Sequence, residues 1–182
     1  MEPRWVRAEK DWSMSVQQTS NGPRVRTDIV DLYVVRPGES RGWEVLQVRR
    51  TRAPMLGTWQ PVMGHIEAGE TAVVAVVREA REELGLEISG LAREGWFWQL
   101  EQVWAFYIAA MDCVVMSPRF VVRVGRGWEP ALNAEHDARR WVALGEAGRW
   151  FMWPGQSHAL REVEGVLMPG SLAGEHLRLR AV

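Results

Sequence analysis

The sequence predicts an α/β sandwich, one sheet covered on both faces. Three observations carry this. Several β-branched and aromatic runs of strand length are separated by Gly- and Pro-containing turns. Two stretches, one early and one near the end, carry helical signals. The chain has 182 residues, 47% hydrophobic and 25% charged, which is one soluble domain of ordinary size with an appended arm.

Residues 1–24 read as an N-terminal arm, whose polar stretch SVQQTSNGP ends at Pro23, and residues 25–182 as the domain. Residues 25–36 form a β-branched first strand closed by Pro37-Gly38, and residues 43–50 a second. Residues 58–63 are a short extended piece leading to Gly64. Residues 71–84 give the clearest helix: Thr71 suits the N-cap, no Gly or Pro interrupts, and Gly85 stands at the C′ position. Residues 86–88, 95–100 and 103–111 read as strands of a hairpin or meander. Residues 118–135 read as loop, residues 139–144 as a last strand, and residues 156–167 as an amphipathic closing helix.

Composition excludes several classes. Cys113 is the single cysteine, so an intrachain disulfide or cysteine-based zinc site is excluded, in keeping with a reducing, cytoplasmic compartment. The opening residues are too polar for a secretory signal, and the longest apolar run, 103–111, is too short to cross a bilayer. A net charge of −1 provides no general attraction to nucleic acid or anionic lipid. Lys10 is the sole lysine among 22 basic residues, and arginine is the side chain suited to bidentate phosphate contacts. A homodimer is allowed but not specified.

The helix over 71–84 holds the chemistry. On a wheel of about 100° per residue, Val73, Val77, Ala80 and Leu84 share one arc, expected to face the sheet. Glu79, Glu82 and Glu83 share another, roughly 150° away. Like charges at i, i+3 and i+4 repel by a few tenths of a kcal/mol per pair. A divalent cation removes that repulsion, and an all-carboxylate set favours Mg²⁺ or Mn²⁺ over zinc. Gly64 and Gly69 bracket the entering loop, with Glu70 and Arg78 at the two ends of the segment.

The segment from Gly64 to Leu86 resembles the Nudix hydrolase signature. Gly64, Glu70, Arg78, Glu79, Glu82, Glu83, Gly85 and Leu86 fill its fixed positions, with Ala80 where a larger aliphatic is usual. The resemblance implies a Nudix-type α/β/α sandwich with a mixed sheet and a loop-helix-loop motif, and hydrolysis of a diphosphate linked to a nucleoside-like group. It implies metal ligation by Glu79, Glu82 and Glu83, joined by the Gly64 carbonyl, with Glu70 and Arg78 as a structural pair. Further on, the stretches AEHDARRWVAL and MWPGQSHALREV resemble the C-terminal pattern of the dihydroneopterin triphosphate and deoxynucleoside triphosphate pyrophosphohydrolase branch. That comparison makes Glu135 a further metal ligand or the general base; His136, with no second His or Cys ligand beside it, reads as a structural hydrogen-bonding histidine. The stretch 96–103 leaves little room for the insertion that pterin-cleaving enzymes carry, and markers of the ADP-ribose and dinucleoside polyphosphate subfamilies are missing.

Arg50 ends its strand near where related enzymes hold substrate phosphate, with Arg49 alternating to the other face. Trp96, Trp98 and Trp128 are candidates to stack on a base. The expected activity is Mg²⁺-dependent cleavage of a nucleoside or pterin triphosphate to a monophosphate and pyrophosphate, with Glu82, Glu83 and Glu135 as catalytic carboxylates and Arg50 and Trp128 on substrate. Hydrolysis of nucleotide sugars or dinucleoside polyphosphates, and a non-catalytic nucleotide sensor, are the alternatives.

Overall fold

A computed structural model describes residues 16–17, 21–39, 42–53 and 55–180. Within the expected arm, β1 (Val16–Gln17) pairs antiparallel with β2 (Arg24–Arg26); the rest of residues 1–20 lies outside the described part. β3 (Ile29–Pro37) and β4 (Trp43–Arg50) follow, antiparallel to one another. β5 (Trp59–Gln60) pairs with β4, and β6 (Val62–His65) with β3. Helix α1 (Ala72–Leu84) and the short α2 (Ile88–Arg93) come next, then β7 (Phe97–Gln99), β8 (Trp104–Ile108), β9 (Cys113–Ser117) and β10 (Arg119–Arg123). β11 (His136–Ala143), α3 (Leu144–Ala147), α4 (Pro154–Leu167) and α5 (Leu172–His176) complete the chain.

The larger sheet has seven strands. Its main path runs β11-β4-β3-β10-β7 and is mixed, because β10 lies parallel to β3. Strand alternation divides its side chains between two cores. Val30, Leu32, Val34, Leu46, Val48, Phe120 and Val122 join Ala75, Val76, Ala80 and Leu84 of α1 on one face. Tyr33, Val35, Val45, Trp98 and Val121 join Ala159, Leu160 and Val163 of α4 on the other. The α/β sandwich expectation therefore holds.

Four local expectations do not. A second sheet, ordered β1-β2-β9-β8, stands beside the first, and its unanticipated strand β9 pairs with β8, so β7 and β8 are not the hairpin or meander expected of 95–100 and 103–111. The supposed loop over 118–135 begins with β10, a central strand buried on both faces; Arg119 is buried there beside Asp31, and arginines at both strand ends disguised it. Residues 86–88 enter a helix, not a strand, since Ile88 and Ala92 are spaced to bury one side of α2. The arc of α1 that meets the sheet is rotated from the predicted one: Ala75, Val76, Ala80, Glu83 and Leu84 are buried, whereas Val73 and Val77 are only partly so.

Candidate active site

The rotation of α1 brings its acids inward. Both ends of the helix are fixed by local chemistry: Thr71 Oγ1 accepts from the Val74 N–H at 3.3 Å, and Gly85 adopts φ 65°, a left-handed cap that suits glycine. Between these ends, Glu79 lies against β6. A Cβ on Gly64 would overlap Cγ, Cδ and Oε1 of Glu79, so only glycine lets the carboxylate approach this strand. The His65 N–H donates to Glu79 Oε1 at 3.1 Å.

Arg78 organises the entrance. Its Nε and Nη2 donate to the two oxygens of Glu70 at 2.9 and 3.0 Å, and Nη2 also reaches the His65 carbonyl at 2.7 Å. Nη1 donates to Glu79 Oε1 at 2.9 Å and Glu82 Oε2 at 3.3 Å. The hydrogen bonds from Arg78 hold the Glu70 carboxyl down to about 2. The expected pairing of Glu70 with Arg78 is present, and it ties the loop to both strand and helix.

Glu83 differs from its neighbours. It is 3% exposed, and its Oε2 has no hydrogen-bond partner among the described residues. Burial pushes its carboxyl well above the usual range, and the charges of Glu79 and Glu135 push it further; Arg50 opposes them. Glu79 is raised mainly by burial, against Arg78. Glu82 is half exposed. An ionised carboxylate in the place of Glu83 needs a counter-charge.

The opposite wall comes from β4 and β11. Arg50 shares the α1-side face with Leu46 and Val48, and its buried Nε is unpartnered among the described residues. Arg49 turns to the other side, where it pairs with Asp137. Glu135 is held at 3.1 Å by Arg52, an exposed arginine that sequence reasoning missed although it continues an arginine-rich run. His136 is buried and its Nδ1 lies 3.8 Å from Glu83 Oε2; burial lowers its imidazole to about 4. The loop before β11 is sewn to the end of α1 by Ala131 N–H to Leu84 O (2.9 Å) and Asn133 N–H to Glu83 O (3.3 Å).

Trp128 packs edge-on against Trp141, over which Arg36 lies at 4.0 Å, on the rim of the α1-side core. Trp96 and Trp98, only candidates for stacking in the sequence, lie elsewhere and serve packing. Both belong to the α4-side core; the Trp98 indole donates to Gly174 O at 2.7 Å, and Arg123 covers Trp96.

The donor set of Glu79, Glu82, Glu83 and the Gly64 backbone suits a hard cation, and the observation that supports one is the buried Glu83 carboxylate, whose single ion pair among the described residues is the distant one to His136. Among the described residues no three acidic, histidine or cysteine side chains stand as a preformed ligand group. In this structure Arg78 Nη1 is the positive charge that Glu79 and Glu82 share.

Residues 25–163 match the model of the NUDIX domain. The chain belongs to the NUDIX domain family. Among curated relatives of this NUDIX domain, "Octanoyltransferase" of Myxococcus xanthus is 34% identical over 66% of this chain and 31% of its own length. "Putative 8-oxo-dGTP diphosphatase 2" of Mycobacterium tuberculosis is 49% identical over 35% of this chain and 46% of its own. The chain thus spans less than half the length of these relatives. The dihydroneopterin triphosphate pyrophosphohydrolase of E. coli has the same fold, with a TM-score of 0.59, 23% identity and coverage of 73% of this chain and 92% of that one. No described helix is long and apolar enough to cross a membrane.

Proposed function

We propose that this chain is a pyrophosphohydrolase that cleaves a nucleoside triphosphate to a monophosphate and pyrophosphate with Mg²⁺ or Mn²⁺. The observation that carries the reading is Glu83: a buried carboxylate whose single ion pair among the described residues is His136 at 3.8 Å, pushed well above the usual range by burial first and then by the charges of Glu79 and Glu135, against Arg50. A surface helix without a ligand to bind gains nothing from burying an acid among acids. The match to a relative named for a nucleoside triphosphate substrate supports the substrate class.

Glu79, Glu82, Glu83 and the Gly64 carbonyl would hold the cation, with Glu135 as a further ligand. When bound, such a cation neutralises diphosphate charge and lowers the pKa of a coordinated water. Arg50 binds a substrate phosphate from the strand end. Glu83 or Glu135 accepts the proton of the attacking water, whose oxygen bonds to phosphorus as the bridging oxygen leaves with pyrophosphate. Glu70 and Arg78 keep the loop and helix in register, and Trp128 provides a stacking surface for the base. Residues 25–182 make up the catalytic domain, and residues 1–24 are an arm that adds β1 to its smaller sheet.

The test is a turnover screen with Mg²⁺ over nucleoside triphosphates, dihydroneopterin triphosphate, nucleotide sugars and dinucleoside polyphosphates, with pyrophosphate and phosphate measured separately. Pyrophosphate release from a nucleoside triphosphate that stops with EDTA is expected. Turnover that resists EDTA, or none on any diphosphate, overturns the reading.

A further inference from the structure

Strand β11 contains an irregularity whose effect falls on the acid site. Ala138 stands opposite Arg49, but the next β11 residue in register, opposite Arg50, is His136. β11 therefore advances two residues while β4 advances one, and Asp137 is the extra residue of a β-bulge. In a regular strand, residues 136 and 138 would share a face. Ala138 opposes Arg49, on the side away from α1, whereas His136 opposes Arg50, on the side of Leu46, Val48 and α1. The bulge thus turns His136 inward, the re-aiming that such insertions achieve. Arg49 grips the extra residue, its Nε and Nη2 donating to the two oxygens of Asp137 at 2.7 and 3.0 Å.

His136 arrives 4% exposed, with Nδ1 at 3.8 Å from Glu83 Oε2. Neither nitrogen of the ring nor Glu83 Oε2 has a hydrogen-bond partner among the described residues. Two buried polar groups without partners, facing each other, are costly unless they are brought together in use. A closure to about 2.9 Å would make a hydrogen bond.

We propose that His136 is a positioning residue for Glu83: its imidazole N–H donates to Oε2 and leaves the other carboxylate oxygen for a cation, and the Asp137 bulge locked by Arg49 delivers it. This rests on the metal-binding reading of Glu83 given above. A partner that orients a metal-ligating carboxylate without touching the ion commonly governs affinity by 10–100-fold.

The test is Mn²⁺ binding without substrate, by calorimetry or the electron paramagnetic resonance of free Mn²⁺, alongside melting temperature. His136→Leu, which removes the donor, is expected to raise the Mn²⁺ Kd about 10–100-fold. His136→Asn, whose amide nitrogen can stand near the place of Nδ1, should bind near wild type. Arg49→Met, which releases the bulge from a distance, should weaken binding in the same direction by less. If His136→Leu binds like wild type, or His136→Asn is as weak as His136→Leu while melting normally, the positioning role is wrong. Should His136→Leu not fold, the Asn and Met variants decide on the same criteria. A wild-type protein that binds no Mn²⁺ removes the metal reading itself, a result distinct from failure of the His136 role alone.

Discussion

Helices α1 and α4 have nearly the same length, 13 and 14 residues, and cover opposite faces of one sheet, yet they spend their buried surface differently. α4 buries Ala159, Leu160, Val163, Val166 and Leu167, an apolar stripe with Gln156 at its start. α1 buries Ala75, Val76, Ala80 and Leu84 and sets Glu83 among them. One helix stabilises the sheet. The other uses the sheet as a dry wall against which a carboxylate is held in an unfavourable state. The difference teaches that burial on α4 serves cohesion, while burial on α1 serves cohesion and electrostatics together.

Substitutions that should separate these roles differ in size. Glu83→Gln is expected to lower turnover by about 10²–10⁴, the range for loss of a positioned acid–base or metal-binding group, while the metal-free protein melts at a higher temperature than wild type. Near-normal turnover at saturating Mg²⁺ would erase the contrast. Leu160→Ala, in the α4 core, should cost about 2–5 kcal/mol of stability and leave turnover per folded molecule unchanged, as denaturant melts paired with active-site titration will show. Gly64→Ala should lower turnover about 10–100-fold, as other losses of metal-site support do, because the new Cβ displaces Glu79 from β6. Its far-ultraviolet circular dichroism should stay that of wild type.

The smallest effect is a pH dependence. A carboxyl whose folded pKa lies above its unfolded value binds more protons in the folded state, so stability falls as pH rises from the unfolded value and levels off above the folded one. In EDTA, the melting-temperature advantage of Glu83→Gln over wild type should be near zero below pH 4.5 and widen as pH rises beyond it. Asp31, raised to about 6 by burial, and His136, lowered to about 4, act with opposite signs over much of the same interval. A difference between two proteins that share both groups cancels those terms, apart from the coupling of His136 to Glu83. Adding Mg²⁺ should shrink the gap, since a ligand bound only by the folded wild type stabilises it.

Much of the acid side was legible in the sequence. Thr71 and Gly85 bound a helix with no breaker inside it, and the spacing of Glu70, Arg78, Glu79, Glu82 and Glu83 carries the family resemblance. Arg50 could be placed on its face because β4 alternates regularly. The inward turn of Glu83 was not legible, since a wheel ranks Val73 and Val77 above alanines and cannot know that the sheet approaches closely where residues are small. β10 was hidden because a strand buried on both faces shows no alternation. The approach of His136 to Glu83 depends on a bulge, which one sequence does not mark.

The two hydrogen bonds from Ala131 and Asn133 to the last carbonyls of α1 have a wider consequence. They bring the chain back to the end of α1 after an excursion of more than forty residues, so the segment bearing Glu135 and the helix bearing Glu83 behave as one joint. What lies between runs α2, β7 and β10 through both cores and reaches outward chiefly in the connections around β8 and β9. Its connections at residues 101–103 and 109–112 can lengthen at an entropic cost of only about 0.6 kcal/mol per doubling, without pulling on the joint. A chain wired in this way can try new outer surfaces through insertion and deletion while the chemistry at its hinge is inherited unchanged.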